Sequence, residues 1–214
     1  MKTYILLLSA ALTCPAAVCA ASAAQPETCT YEVFNWNIHK KRGVNMKRVQ
    51  HPYSQLTAEE KDPGTGCTVC LEDQRLLKAG GLEPFLACNK IADKLQALLD
   101  NLLKDGEPVL EIVAYRPGRT KNPLDGSGNR TGFSNHAYGA AVDINRSKNG
   151  LYDRCQKFGP GCRLIQGGAW KAGARGALTR DSKITQAMRA AGFKWGGEIE
   201  GNQKDFMHFS PSGY

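Results

Sequence analysis

The stretch Ser134-Asn-His-Ala-Tyr-Gly-Ala-Ala-Val-Asp143 organises the part of the chain around it. Gly139 allows a tight turn after His136, because glycine adopts backbone angles that other residues avoid. The run from Ala140 to Ile144 is short and apolar apart from Asp143, a pattern typical of a buried strand. A turn followed by a strand directs His136 and Asp143 toward a common point.

A second motif, Asp205-Phe-Met-His208, lies near the C-terminal end. Its apolar character predicts a neighbouring short strand that carries His208 to the same point. Two imidazoles and one carboxylate suit a tetrahedral zinc ion whose fourth position is left to water. A further carboxylate at the edge of the strand, Asp205, can take a proton from that water. The two motifs therefore predict a zinc site built from His136, Asp143 and His208, with Asp205 beside it.

The pattern Ser134-x-His136-x-x-Gly139-x-Ala141-x-Asp143, followed by Asp205-x-x-His208, resembles the VanY-like zinc D-Ala-D-Ala carboxypeptidase family. This family also contains L-alanyl-D-glutamate endopeptidases. The resemblance covers roughly residues 109–209. It implies an α+β fold, with a small antiparallel sheet that carries the zinc site and helices packed against it. It also implies hydrolysis of peptidoglycan stem peptides, with Asp205 as the catalytic base.

Arg116 and Ser134 are the predicted substrate-binding residues. The apolar run Val109–Tyr115 predicts a buried strand that ends at Arg116, and the resemblance implies that an arginine in this place faces the substrate. A guanidinium suits a carboxylate because it donates two parallel hydrogen bonds. Arg119 is the alternative. The Ser134 hydroxyl is expected to support the site.

The motifs leave the cleaved bond open. Asp205 stands where carboxypeptidases of the family usually carry glutamate, and with Trp195-Gly-Gly197 it resembles the endopeptidase-type branch. Arg116 favours a C-terminal carboxylate, although D-Glu also offers a free carboxylate beside the other bond. The carboxypeptidase is ranked first and the endopeptidase second. A non-catalytic, zinc-containing cell-wall-binding protein is the third hypothesis.

The formal net charge of +8 favours an anionic partner, such as a cell-wall polymer, a membrane surface or a nucleic acid. The basic residues are scattered and select none of these. A metal-dependent nuclease is disfavoured, because the two motifs lack the several carboxylates that two-metal phosphodiester chemistry favours. The predicted partners are the peptidoglycan stem peptides that the family resemblance implies, and not nucleic acid.

The first residues predict a secretory signal peptide. Lys2, the apolar run 4–12 and the small residues Ala21-Ser-Ala23 have the order of charged start, apolar segment and cleavage site. No other stretch approaches the roughly 20 apolar residues that cross a bilayer. We expect a secreted or periplasmic monomer without a membrane span.

Six of the eight cysteines follow the signal peptide. An even number of cysteines in an exported chain predicts disulfides. Cys155 and Cys162 flank a turn-rich loop and are expected to pair, whereas the pairing of the other four stays open. Cys67-x-x-Cys70 is interpreted as structural rather than as a redox or zinc pair.

The predicted organisation has three parts: signal peptide 1–24, N-terminal extension 25–66 and zinc peptidase domain 67–214. Alternating residues in the extension predict two strands, Tyr31–Trp36 and Val44–Val49. Apolar spacing and capping residues predict three helices, at Val69–Ala79, Glu83–Lys104 and Ser182–Ala191.

Overall fold

The computed structural model describes residues 25–211 and residue 213. The predicted signal peptide lies outside the described residues. None of the helices in the described part of the chain has the length and apolar character that crossing a bilayer requires.

The fold is α+β, as predicted from the family resemblance. The described residues form two α-helices and thirteen strands. In chain order they are β1 Thr28–Asn37, β2 Arg42–Pro52, β3 Gln74–Leu77, β4 Phe85–Cys88, α1 Asn89–Lys104, β5 Ile112–Val113, β6 Arg119–Leu124, β7 Arg130–Phe133, β8 Val142–Ile144, β9 Leu151–Asp153, β10 Arg163–Gln166, α2 Lys183–Ala190, β11 Lys194–Trp195, β12 Gln203–Asp205 and β13 His208–Ser210.

Three small sheets position the candidate site. The first is antiparallel, with the order β11-β13-β8-β5, and it holds Asp143 and His208. The second has the order β10-β9-β12, and its strand β12 ends at Asp205. The third, β2-β1-β6-β7, joins the N-terminal hairpin to the segment that precedes the main motif. A separate pair, β3 and β4, leads into α1.

The first sheet and α1 share one hydrophobic core. Leu95 and Leu99 on α1 are fully buried in the same cluster as Val142, Ile144 and Phe209. These leucines lie four residues apart, so they project from the same face of the helix. Truncating a buried leucine of this kind to alanine typically costs about 2–5 kcal/mol of stability. The core therefore holds in place β8, the strand that carries Asp143.

The helix prediction for Val69–Ala79 is wrong. This segment forms a single 3₁₀ turn, Leu71–Asp73, and then β3, which pairs with β4. Non-local interactions override the local helix preference here, because Cys70 is bonded to Cys29 and the Gln74 amide donates to the carbonyl oxygen of Cys70.

Two other predicted elements are shorter than expected. The helix predicted over Glu83–Lys104 begins only at Asn89, since Phe85–Cys88 is taken up as a strand by pairing with β3. The strand predicted over Val109–Tyr115 is reduced to Ile112–Val113. The predicted C-terminal helix is confirmed as α2, and the Ser182 side chain caps it by accepting a hydrogen bond from the Thr185 N–H.

Three disulfides tie the fold together. Cys155 is bonded to Cys162 as predicted, and the other pairs are Cys29–Cys70 and Cys67–Cys88. Cys67 and Cys70 therefore belong to different bridges and do not form a redox or zinc pair. The two predicted strands of the extension are confirmed as β1 and β2. The domain boundary at residue 66 stays a prediction, although β1 shares a sheet with β6 and β7.

Within the extension, the buried Glu60 carboxylate is expected to stabilise the fold in a pH-dependent way. It accepts hydrogen bonds from the Tyr31 hydroxyl at 2.6 Å, from the His51 ring at 2.8 Å and from the Thr57 N–H at 2.8 Å. Burial alone would raise the pKa of Glu60, but these bonds outweigh it and lower the pKa to about 2. The stability contributed by a depressed carboxyl pKa is present above the unfolded value and is lost as the pH falls through the folded value.

Glu60→Gln should therefore lower the free energy of unfolding by about 3 kcal/mol at pH 7, with the difference from wild type shrinking between about pH 4.5 and pH 2. Urea unfolding at pH 7 and pH 3, with chelator present throughout so that metal loss does not contribute, measures this. Glu83→Gln makes the same chemical change at an exposed position and serves as control. An equal difference from wild type at both pH values would contradict the expectation.

Candidate metal centre

Three side chains meet at one point on the first sheet. His136 Nε2 lies 3.0 Å from Asp143 Oδ1 and 3.2 Å from His208 Nδ1, and His208 Nδ1 lies 3.2 Å from Asp143 Oδ1. All three residues are buried. Asp143 and His208 are direct partners in the antiparallel register of β8 and β13. The structure thus brings together the three residues predicted to hold a metal.

The third member, His136, is positioned by a short turn. Residues Asn135–Tyr138 form a 3₁₀ helix that ends at Gly139, whose φ of 64° lies in the left-handed region. This turn is the one predicted from Gly139. The Gly139 carbonyl oxygen accepts a hydrogen bond from the Cys88 N–H at 2.9 Å, which attaches the turn to the end of β4.

The electron-rich atoms of the cluster fit a metal ion. His136 Nδ1 lies 2.7 Å from the carbonyl oxygen of Ala114, which can accept only from a protonated nitrogen. In the neutral form that a metal ligand requires, the ring would present a lone pair at Nε2 toward Asp143 and His208. Tetrahedral zinc with ligands at about 2.0–2.1 Å separates its ligand atoms by roughly 3.3 Å, close to the distances observed here. A carbonyl that orients a ligating histidine is also the usual outer contact of such sites.

Asp143 is held as a carboxylate. Its burial would raise the pKa, but the adjacent His136 and His208 outweigh the burial and hold the pKa well below its ordinary value. Arg116 Nη2 donates to Asp143 Oδ2 at 3.0 Å. One oxygen of Asp143 is thereby occupied by the guanidinium, whereas the other faces the two histidines.

Asp205 lies at the end of β12, where it lines the same cleft and is buried. Burial, and then the negative charge of Asp143, raise the pKa of Asp205 to about 7. Its Oδ1 has no hydrogen-bond partner among the described residues. Gly196 approaches the Asp205 backbone so closely that a Cβ there would lie 2.4 Å from its carbonyl oxygen. Gly196 of the Trp195-Gly-Gly197 stretch therefore helps to place the Asp205 carboxylate.

The predicted substrate-binding residues also reach the cleft. Arg116 and Ser134 both line it, and the Arg116 N–H donates to the His136 carbonyl oxygen at 3.1 Å. Arg116 thus contacts two predicted metal ligands, His136 through its backbone and Asp143 through its carboxylate. The alternative, Arg119, stacks over the Phe133 ring at 4.0 Å and pairs with Glu59.

The cleft has a volume of about 670 Å³ and extends well beyond the four motif residues. Sequence reasoning missed several side chains of its lining, because they come from segments outside both motifs. These are Phe34, Trp36, Lys121, Arg146, Gln166 and Gln203. No short-range sequence signal marks them, since only the packing of the three sheets brings them to one cavity.

No solved structure matches this chain. Residues 127–211 match a family model described as D-alanyl-D-alanine carboxypeptidase. This range contains His136, Asp143, Asp205 and His208, whereas Arg116 and the N-terminal hairpin precede it. The resemblance identified from the motifs is therefore confirmed over residues 127–211, which are similar to a family of peptidases that act on peptidoglycan.

Proposed function

We propose that this protein is a secreted zinc metallopeptidase that hydrolyses peptidoglycan stem peptides and is of the D-Ala-D-Ala carboxypeptidase type. The observation that carries the proposal is the convergence of His136 Nε2, Asp143 Oδ1 and His208 Nδ1 in one cleft with a separate buried carboxylate. Zinc bound there would supply a polarised scissile carbonyl and a water of lowered pKa.

The chain's own residues divide the remaining tasks. The Ala114 carbonyl orients His136, and Arg116 holds the outer oxygen of Asp143. Asp205 accepts a proton from the attacking water and delivers it to the amine that leaves. Its raised pKa suits a group that must both take and return a proton near neutral pH.

The L-alanyl-D-glutamate endopeptidase is the second candidate function. Aspartate at position 205, instead of glutamate, favours it. Mass analysis of digested muropeptides separates the candidates. Release of single D-Ala identifies the carboxypeptidase, and cleavage between L-Ala and D-Glu identifies the endopeptidase. If zinc-loaded protein forms neither product, the assignment to stem peptides is wrong.

The purified protein is expected to bind about one zinc ion per chain, as a site with three protein ligands predicts. His136→Ala and His208→Ala should each abolish stable binding, because removing one ligand leaves two. Metal analysis after dialysis measures the stoichiometry. His39→Ala, at an exposed position in the hairpin turn, is the matched control and should keep the metal. Full occupancy in the His136→Ala/His208→Ala double variant would place the zinc elsewhere.

A further inference from the structure

One wall of the cleft carries side chains that the metal centre does not use. Phe34 and Trp36 come from β1, Lys121 from β6 and Arg130 from β7, and all four line the cavity that contains the metal cluster. Trp36 is 37% exposed, which is high for a large aromatic side chain. This surface, called the hairpin wall below, combines apolar area with two positive charges.

The hairpin wall is held in place by several fixed contacts. Asn35 Nδ2 donates to the Arg130 carbonyl oxygen at 2.7 Å, and Asn37 Nδ2 donates to Asn129 Oδ1 at 2.7 Å. The Cys29–Cys70 disulfide ties the start of β1 to the turn before β3. A surface ordered before binding loses little conformational freedom when a ligand arrives.

Of the two cations of the wall, Lys121 lies near the metal centre. Lys121 Nζ donates at 3.2 Å to Asn135 Oδ1, and Asn135 immediately precedes His136. Burial lowers the pKa of Lys121, which reflects a partly dehydrated environment. In such an environment a hydrogen bond from a cation to an anionic ligand is stronger than in water. Arg130 has five donors, one of which it gives to Asn122 Oδ1 at 3.3 Å.

We propose that the hairpin wall is a substrate subsite, which binds a stem-peptide residue that carries a free carboxylate. Besides its C-terminal carboxylate, for which Arg116 is the predicted partner, a lysine-containing stem peptide carries a second one, the α-carboxylate of the γ-linked D-glutamate, which is not part of the peptide chain. Lys121 and Arg130 bind the carboxylate, and Phe34 and Trp36 pack against neighbouring apolar atoms of the peptide. The inference rests on the proposed function and deepens it. Three of the four residues, Phe34, Trp36 and Lys121, precede the range that matches the family.

Two peptides that differ by a single charge test the subsite. They are N-acetyl-L-Ala-γ-D-Glu-L-Lys-D-Ala-D-Ala and the same peptide with the D-glutamate α-carboxylate amidated. Both contain both candidate bonds, so the comparison holds whichever bond is cut. The wild type should cleave the free-carboxylate peptide with a kcat/KM roughly 10- to 100-fold higher, the range expected for hydrogen bonds to a charged group.

Lys121→Gln and Arg130→Gln should each reduce this preference, and the double variant should abolish it. Lys47→Gln removes one positive charge from β2, which belongs to the same sheet as β6 and β7 but carries Lys47 outside the cleft lining, and it should leave the preference unchanged. Equal kcat/KM for both peptides in the wild type, or an undiminished preference in the Lys121→Gln/Arg130→Gln variant, overturns the subsite while leaving the peptidase assignment intact.

Binding provides a readout that does not depend on hydrolysis. Isothermal titration calorimetry of the Asp205→Asn protein with each peptide in turn should show tighter binding of the free-carboxylate form. Adding Trp36→Ala should weaken the binding of both peptides, whereas adding Met46→Ala, on the same hairpin but outside the cleft lining, should not. Preferential binding by a wild type that cleaves neither peptide would support the subsite and reject the peptidase. Equal binding of both peptides rejects the subsite.

Discussion

Asp205→Asn should lower kcat for stem-peptide hydrolysis by about 10²- to 10⁴-fold, the usual contribution of a general base, while zinc stays bound. Asparagine has nearly the same shape but cannot accept the proton. The carboxylate lines the cleft without belonging to the cluster of three ligand atoms, so its loss should spare the metal. Steady-state kinetics and metal analysis on the same preparation measure both effects.

Asp153→Asn is the matched control for this substitution. Asp153 lies on β9, directly opposite Gln203 of β12, and pairs with Arg163 outside the cleft lining. It should retain near-wild-type kcat. If Asp205→Asn turns over substrate like the wild type, Asp205 has no part in proton transfer. If zinc is lost together with activity, Asp205 is instead a metal ligand.

The candidate site could be predicted from the sequence because its geometry is largely local. His136 and Asp143 are separated by one turn and one strand, and Gly139 marks the turn. For these two residues, the backbone is determined within a few positions of the side chains that it places. His208 is the exception, because it lies 65 residues from Asp143 and reaches it through the pairing of β13 with β8, which the apolar pattern of its motif predicted only as a neighbouring strand.

The remainder depends on contacts between distant segments. The Val69–Ala79 helix was mispredicted because Cys70 is bonded to Cys29 and the segment pairs with Phe85–Cys88. The hairpin wall was missed because β1 reaches the cleft by lying parallel to β6, with Asn35 beside Arg119. Local propensity and hydrophobic spacing carry no information about such pairings.

Glycine at position 139 is required both by its backbone angle and by the space around it. A φ of 64° costs a residue with a side chain about 1–2 kcal/mol. A Cβ there would lie 2.6 Å from the Cys88 backbone nitrogen and would also overlap the Gln74 side-chain oxygen. Neither neighbour can retreat easily, because Cys88 is bonded to Cys67 and the Gln74 amide donates to the carbonyl oxygens of Thr68 and Cys70.

Gly139→Ala should therefore lower the free energy of unfolding by roughly 2–5 kcal/mol and weaken zinc binding at least about tenfold, since the turn that carries His136 must shift. Gly106→Ala separates the two causes. Gly106 has a similar φ of 75° but nothing within 4 Å of an added Cβ, so it should show only the backbone cost and normal zinc affinity. Urea unfolding and zinc competition with a chelator measure the two quantities. Equal losses of stability in both variants, with zinc affinity unchanged, would show that the close packing of the turn against β4 does not position His136.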